Sequence, residues 1–572
     1  MSTATIASSS MSAPAACLRA VVVVPARDEA LRIGACLRAL ADQRELPPDA
    51  FEVIVVLDGC RDETAEVVAR CAAGSPQLAL HAVELDAPRG VGWARRLGMD
   101  LACERLLGLG RERGLIASTD ADSVVAPDWL ATQLELSGQG ARAIGGQIEL
   151  DPTEALELSA ETLSDRELGR SERMRAVLGR DDGQDQTHIE HHQFSGASLA
   201  LTAEAYRECG GLPVRAALED EALELELGAL GIPIHRSRRV RVMTSARTDG
   251  RAPRGLARDL ARSDWRARRS YRAPEFSLER LIELKSCSIA LVLPAREVAR
   301  TIGPIARLAA ELRDVGLLDE VLVVDAASRD GSARVASAEG VRVVQESEIA
   351  DELGRARGKG DAMWRALSVV ESEIVAYVDT DTEQLGGQFI TGLLGPLICE
   401  PEIQLVKGFF RRPFRAEGRV LAEGGGRVTE LMARPLLNLH APELAVFDQP
   451  LAGEVAARRG LLEQIPFSAG YGVEIAMLID AWRIAGMDGL AQVDLGVRQN
   501  RHQSLRDLSA MAYAVLVAAS SRLLGEDFAD AHAVGSLSLP PLPGASAMES
   551  RRVPIEERPP LAVYRERHGA SA

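Results

Sequence analysis

The chain has 572 residues, 46% hydrophobic and 26% charged, a balance typical of globular proteins in a length that exceeds one ordinary domain. A formal net charge of -17 excludes nucleic acid as a general partner, because phosphate backbones demand a basic face. The 8 cysteines form no C-x-x-C pair, which argues against structural zinc and for a reducing, cytoplasmic setting.

Residues 1–17, rich in Ser and Ala, lack a charged start and a continuous apolar core, and the expectation is a disordered tail without targeting function. From Leu18 the run L-R-A-V-V-V-V-P predicts a fully buried strand stopping at Pro25. Helical periodicity over Arg32–Ala41 follows, then a second buried strand, Val53–Leu57, ending in Asp58. A helix over Thr64–Ala72, a strand near Leu78–Val83 and a strand L-I-A-S-T ending in Asp120-Ala121-Asp122 complete the first pattern. Alternating strands and helices imply parallel pairing with right-handed crossovers. Met511–Ala519 is apolar but well short of the ~20 residues needed to span a bilayer, and reads as a core helix.

The same grammar returns after Ser286. I-A-L-V-L-P-A-R-E matches the first block at Pro25/Pro294, Arg27/Arg296 and Gly34/Gly303. Arg61-Asp62 faces Arg329-Asp330, and the basic glycine loop Arg89–Arg96 recurs as Arg357–Arg365. Asp120-x-Asp122 recurs as Asp379-x-Asp381, so the chain reads as two copies of one α/β module. Between them, Arg251–Glu283 is strongly basic: either a solvated helical face or a contact for acidic groups. The expected divisions are a first module over 18–260, a basic helical linker over 261–286, a second module over 287–530 and a proline-rich extension over 531–572 with no core of its own.

Two carboxylates at the end of a buried strand repel each other unless a cation sits between them. The aspartates either cap the next turn or hold a hard divalent ion that keeps places free for phosphate oxygens. Strand ends bearing Pro-Ala-Arg, then an Asp, then Asp-x-Asp, line the carboxyl edge of a parallel sheet, where open α/β sheets bind ligands. This ordered set resembles the GT-A nucleotide-sugar glycosyltransferases in both halves. The resemblance implies two tandem GT-A, Rossmann-like domains, with a nucleotide-sugar donor held by Pro25, Asp58 and Asp120 in one and by Pro294, Glu297, Asp325 and Lys359 in the other. It further implies a divalent cation, Mg2+ or Mn2+, at Asp122 and at Asp379 with Asp381.

The second half carries R-G-K-G-D-A-M-W-R, G-G-G-R-V-T-E-L-M, Q-P-L-A-G-E-V-A-A-R-R and Q-V-D-L-G-V-R in order. Together they resemble the glucosyl-3-phosphoglycerate synthases, retaining enzymes that join glucose from a nucleotide sugar to 3-phosphoglycerate. The glycine run before the helical pattern Glu430–Leu437 can turn backbone N–H groups toward an anion, and Arg427 and Thr429 add donors: a phosphate cradle, or else a flexible loop. The acceptor set implied is Gly426, Arg427, Thr429 and Arg498, with Glu474 on the acceptor hydroxyl; a buried structural carboxylate is the alternative for Glu474. That family places a metal-binding histidine two residues after the arginine of L-G-V-R. Here Asn500 stands there, so either it or His502 completes the metal site.

The first half continues as F-S-G-A-S-L-A-L-T and A-L-E-D-E-A-L, which resembles inverting glycosyltransferase family 2. By that resemblance Asp220, beside Glu219, is the base, against the alternative of an acidic helix face. His188, His191 and His192 read as substrate contacts or a plain loop. The whole predicts a bifunctional enzyme whose candidate partners include a second copy of itself, as a homodimer, and whose first acceptor and oligomeric state the sequence does not identify. Sugar nucleotidylyltransferases are excluded, since Pro25-Ala26-Arg27 bears no G-x-G-x-R signature. A non-enzyme alternative makes the first half a binding module.

Overall fold

The computed structural model describes residues 6–568 except 48, 181–187, 216, 251–253, 355, 384, 412–413, 417–418, 422–425, 499–503, 526–534 and 542–545. It divides into two compact units, Met1–Ala267 and Arg268–Ala572. No helix among the described residues is long and apolar enough to cross a membrane.

The first unit is built on β1 Ile6–Ser9, β2 Ala20–Ala26, β3 Phe51–Leu57, β4 Ala79–Leu85, β5 Leu115–Ser118, β6 Ser123–Val125, β7 Ala143–Leu150, β8 Leu199–Thr202 and β9 Ile234–Thr244. They form one sheet in the order β1-β4-β3-β2-β5-β8-β7-β9-β6. β2 pairs in parallel with β3 and β5, and is buried along its whole length. That explains its near-continuous valines, since a strand covered on both faces has no solvent side for polar residues. Two apolar clusters cover the faces, one with Val21, Val23 and Met99, the other with Val22, Val24 and Leu37.

The second unit begins with β10 Ser270–Arg272, β11 Ile289–Ala295, β12 Glu320–Asp325, β13 Arg342–Gln345, β14 Ile374–Tyr377 and β15 Leu405–Arg411. After a hairpin of β16 Phe414–Ala416 and β17 Arg419–Leu421 come β18 Val455–Arg458, β19 Phe467–Ser468 and β20 Leu490–Val497. Its main sheet runs β10-β20-β15-β18-β14-β11-β12-β13. Read from the opposite end, β13-β12-β11-β14-β18-β15-β20 repeats β4-β3-β2-β5-β8-β7-β9 of the first unit, and β18, like β8, is the antiparallel member beside the Asp-bearing strand. The edges differ: among the described residues β1 has no counterpart, and β10 lies parallel to β20 where β6 is antiparallel to β9. The repetition reaches the turns. Asp28 and Glu297 both adopt positive φ, and each accepts from a backbone N–H, that of Arg61 or of Arg329.

Three expectations fail for physical reasons. The segment Ile6–Ser9 is not a free tail but an edge strand antiparallel to β4, held by backbone pairing that asks nothing of side-chain pattern. The basic stretch expected as a helical linker is helical over Leu256–Arg269, across the boundary of the two units, but it is not a free connector, since Ser270–Arg272 joins the second sheet beside β20. The proline-rich extension is built into the second unit, where β23 Glu557–Arg558 pairs with β19 after the hairpin β21 Ser536–Leu539 and β22 Glu549–Arg552. Arg558 clamps the fully buried Asp361 with two bonds of 2.7 Å, and Trp364 Nε1 donates to Pro559 O at 2.8 Å. Arg558→Ala strands part of a buried carboxylate's charge, leaving Arg365 and the Arg357 amide as its remaining partners. We expect a loss on the order of 3 kcal/mol in denaturant unfolding; a loss below about 0.5 kcal/mol would show that the extension does not brace the unit.

Candidate active sites

In the second unit, Ile374–Tyr377 is wholly buried and delivers Asp379 and Asp381 at its carboxyl end. The helix Lys359–Val369 starts beside them, because Gly360 lets its backbone pass Ser468 O so closely that a Cβ would stand 1.8 Å from that oxygen. Lys359 Nζ lies 2.5 Å from Asp379 Oδ1 and 2.8 Å from Glu474 Oε1, the latter at the start of the helix Val473–Ala485. Burial opposes the ammonium charge, but the two carboxylates outweigh it and hold the lysine pKa above its ordinary value. Gly453 closes the cluster: a Cβ there would come within 2.4 Å of both Lys359 Nζ and Asp379 Oδ2.

Arg498 follows β20 and is buried. Its Nη2 lies 2.8 Å from Asp381 and 3.6 Å from Asp379, and Nη1 pairs with the buried Glu454. Arg498, expected at the acceptor, thus lies with both ends of its fork against carboxylates. Glu454 and Lys407 were missed by sequence reasoning. Glu454 sits inside the quoted Q-P-L-A-G-E motif, but only pairing across the sheet reveals its partner. Lys407 Nζ donates to Ala452 O at 2.5 Å, and burial lowers its pKa to about 8.

The donor-side residues lie along the same edge. Thr380 Oγ1 donates to Pro294 O at 2.6 Å. Glu297 accepts from Arg329 N at 2.9 Å and Asp325 from Ser328 N at 3.0 Å, while the buried Asp325 Oδ1 has no donor. Gly426, Arg427 and Thr429 stand apart, at the head of the π-helical turn Thr429–Ala433, which packs on the helix Leu505–Leu523. Asn500 and His502 lie outside the described residues. Among the described residues, no group of three or more His, Cys, Asp or Glu is arranged to hold a metal ion. The hard oxygens of Asp379 and Asp381 nevertheless suit part of a divalent site of the kind that keeps places for phosphate.

The first unit repeats this electrostatic plan. Arg95, on the helix Val91–Gly108, is buried between Asp120 (2.7 Å) and Glu219 (3.1 Å), the latter at the start of the helix Glu219–Ala229. Arg247, after β9, bridges Asp122 (2.8 Å) and Glu29 (2.6 Å). Both arginines were missed, since neither marks a strand end. Asp58 accepts from the Arg89 and Gly90 amides at 2.6 and 2.8 Å. Asp220 accepts from Gly196 N at 3.0 Å, and burial, with Glu219 adding, raises its pKa. Pro25, Asp58, Asp120, Asp122 and Asp220 all line one cavity of about 1210 Å³. His191 is buried and accepts from Gln193 N at 3.0 Å, His192 lines the cavity and the His188 ring lies 6.1 Å from that of His235.

Residues 21–203, within the first unit, match the family model for glycosyl transferase family 2. That match lends nothing to the expectation that the synthase half is the C-terminal one. A glucosyl-3-phosphoglycerate synthase of Mycobacterium tuberculosis is 39% identical over 324 residues, 56% of this chain and 96% of that protein. The chain belongs to the glucosyl-3-phosphoglycerate synthase family. It is a glycosyltransferase. The synthase of Mycolicibacterium paratuberculosis is 43% identical, over 45% of this chain and 79% of that protein. Among solved structures, mannosyl-3-phosphoglycerate synthase from Rubrobacter xylanophilus is 42% identical at a TM-score of 0.49, covering 53% of this chain and 98% of that one. The M. tuberculosis synthase in complex with Mn2+, UDP-glucose and phosphoglyceric acid is 38% identical at a TM-score of 0.45, covering 51% and 96%.

Lys407 gives a pH test. Its folded pKa lies near 8 and its ordinary value is 10.5, so the cost of burying its charge is complete below pH 8 and fades as pH rises toward 10.5. Lys407→Met should therefore gain unfolding free energy over wild type at pH 7, with the gain shrinking by pH 10. A difference that is flat with pH, measured by denaturant unfolding, would refute a buried charged lysine.

Proposed function

We propose that the chain holds two nucleotide-sugar transferase sites in tandem GT-A domains. The second unit transfers glucose from an NDP-glucose to 3-phosphoglycerate with retention, and the first is a family 2-type transferase for a different acceptor. The observation that carries this is the recurrence, at two sheet edges, of one cation between the first aspartate of Asp-x-Asp and a glutamate opening a helix.

Placement of the synthase in the second unit rests on the glycine-rich cradle, the L-G-V-R stretch and the Lys359–Glu474 pair, all of which lie there. Relatives of known structure were crystallised with Mn2+ or Mg2+, and Asp379 and Asp381 would hold such an ion, with Asn500 or His502 completing the site. Bound there, the ion neutralises the leaving diphosphate. Lys359 supplies a second positive charge toward that diphosphate, Glu474 orients the acceptor hydroxyl, and Arg427 with Thr429 and Gly426 holds the acceptor's anionic end. In the first unit Asp220, with its raised pKa, takes the proton of the attacking hydroxyl, and Asp122 serves the ion.

A second reading gives the synthase chemistry to the first unit; the family model on residues 21–203 favours it. Two variants of the full chain decide. Asp381→Ala should abolish metal-dependent glucosyl-3-phosphoglycerate formation without unfolding the protein, and Asp220→Asn should leave it within about twofold. The reverse pattern would move the synthase to the first unit, and loss in both folded variants would indicate one composite site.

Arg427→Ala should raise KM for 3-phosphoglycerate far more than for the donor. A charge-assisted pair to phosphate contributes roughly 1.5–3 kcal/mol, about ten- to a hundredfold. Equal weakening of donor and acceptor in steady-state kinetics would remove this loop from the acceptor site.

A further inference from the structure

The cavity of the first unit has two chemically different ends. At the sheet edge, its charges are internally matched: Arg95 and Arg247 are spent on Asp120, Glu219, Asp122 and Glu29. The other wall is the helix Ala160–Arg180, which places Thr162, Asp165, Arg166, Gly169 and Arg173 on the cavity, with Asp259 of the helix Leu256–Arg269 also lining it. Asp165 accepts from Ser263 Oγ at 3.3 Å. Gly169 and Ala176 on that face are small and leave the guanidinium groups reachable. Among the described residues neither Arg166 nor Arg173 is held in an ion pair. Arg170 is the neighbour one turn on, with Glu167 3.5 Å away.

The crowded positive charge perturbs two groups. Burial, then Arg170 and Arg173, push Arg166 down to about 10. Burial, then Arg173, Arg170, His191 and Arg166, push His192 down to about 4. Arg166, Arg170 and Arg173 on one helix outnumber the carboxylates Asp165 and Asp259 that line the same wall, which leaves positive charge available to an incoming anion. The wall also adjoins the chemistry. His192 and Gly196 both line the cavity, and Gly196 N donates to Asp220, the proposed base.

We propose that Arg166 and Arg173 form an anion subsite that takes a phosphate-bearing acceptor, its hydroxyl directed at Asp220. The acceptor role rests on the reading of the first unit as a transferase; the anion site itself does not. Paired arginines suit phosphate because each planar fork can donate two parallel bonds to its oxygens. The phosphate can belong to a small soluble monoester or to a lipid headgroup.

The test is equilibrium binding to the full chain of two probes: glycerol 3-phosphate in solution, and phosphatidylcholine vesicles carrying phosphatidic acid. Wild type should bind at least one probe in a salt-sensitive manner at a site weakened tenfold or more in Arg166→Ala/Arg173→Ala. Asp220→Asn should keep that binding. Arg166→Lys/Arg173→Lys, which preserves charge and helix, should keep most of it and guards against a folding defect in the alanine pair. Preference for the soluble probe assigns a small phosphorylated acceptor, and preference for vesicles a lipid-linked one. Equal binding of both probes by wild type and the alanine pair overturns the proposal. Sugar turnover is read separately in an Asp381→Ala background: arginine-dependent binding without turnover would sink the transferase reading alone, and turnover without such binding would sink the anion site alone.

Discussion

One cation between two carboxylates organises each unit. A parallel sheet ending in Asp-x-Asp concentrates negative charge at an edge that is half withdrawn from water, and a buried ion costs several kcal/mol unless it is paired. Lys359 between Asp379 and Glu474, and Arg95 between Asp120 and Glu219, meet that cost with a single side chain each. A second cation, Arg498 or Arg247, arrives from the loop after the equivalent strand and neutralises the second aspartate. The helix that supplies the first cation can reach the edge only because Gly360 and Gly92 allow backbones to touch; a Cβ at Gly92 would stand 2.2 Å from Arg215 O. With a divalent ion and a diphosphate bound, the same charge balance would be met by different partners: Asp379 and Asp381 would hold the ion, and Lys359 would be available to phosphate oxygens.

Much of this was legible. Buried strands announce themselves as unbroken runs of Val, Ile and Leu, and the residues that end them, Pro25, Pro294, Asp120 and Asp379, mark the sheet edge directly. The internal repeat marked both halves as copies of one α/β module. What periodicity could not carry is pairing at a distance. Ile6–Ser9 has no apolar pattern and is a strand only because β4 offers an open edge. Arg558 looks like a surface residue of a proline-rich tail until Asp361 is found under it. Arg498 lies beside Asp381 and the buried Glu454, and the second of these neighbours could not be read from the sequence, since only pairing across the sheet brings it there.

The two sites share a plan and differ in what they leave open. In the first unit Asp58 is saturated by two backbone donors, whereas Asp325 of the second keeps a buried oxygen without a donor. The glutamate opening the helix is followed by a second carboxylate, Asp220, in the first unit and by Ile475 in the second. A carboxylate with a raised pKa suits proton removal, and Ile475 stands in the second unit where Asp220 stands in the first. The two sheet edges thus share a charge plan and differ in the side chains set on it.

The most direct measurement of the duplicated-site account is calorimetric titration of the full chain with Mn2+ and each of UDP, ADP, GDP and dTDP. The account predicts two metal-dependent nucleotide sites per chain over that panel, one lost in Asp381→Ala and the other in Asp122→Ala. A single site per chain that disappears with either substitution would contradict it.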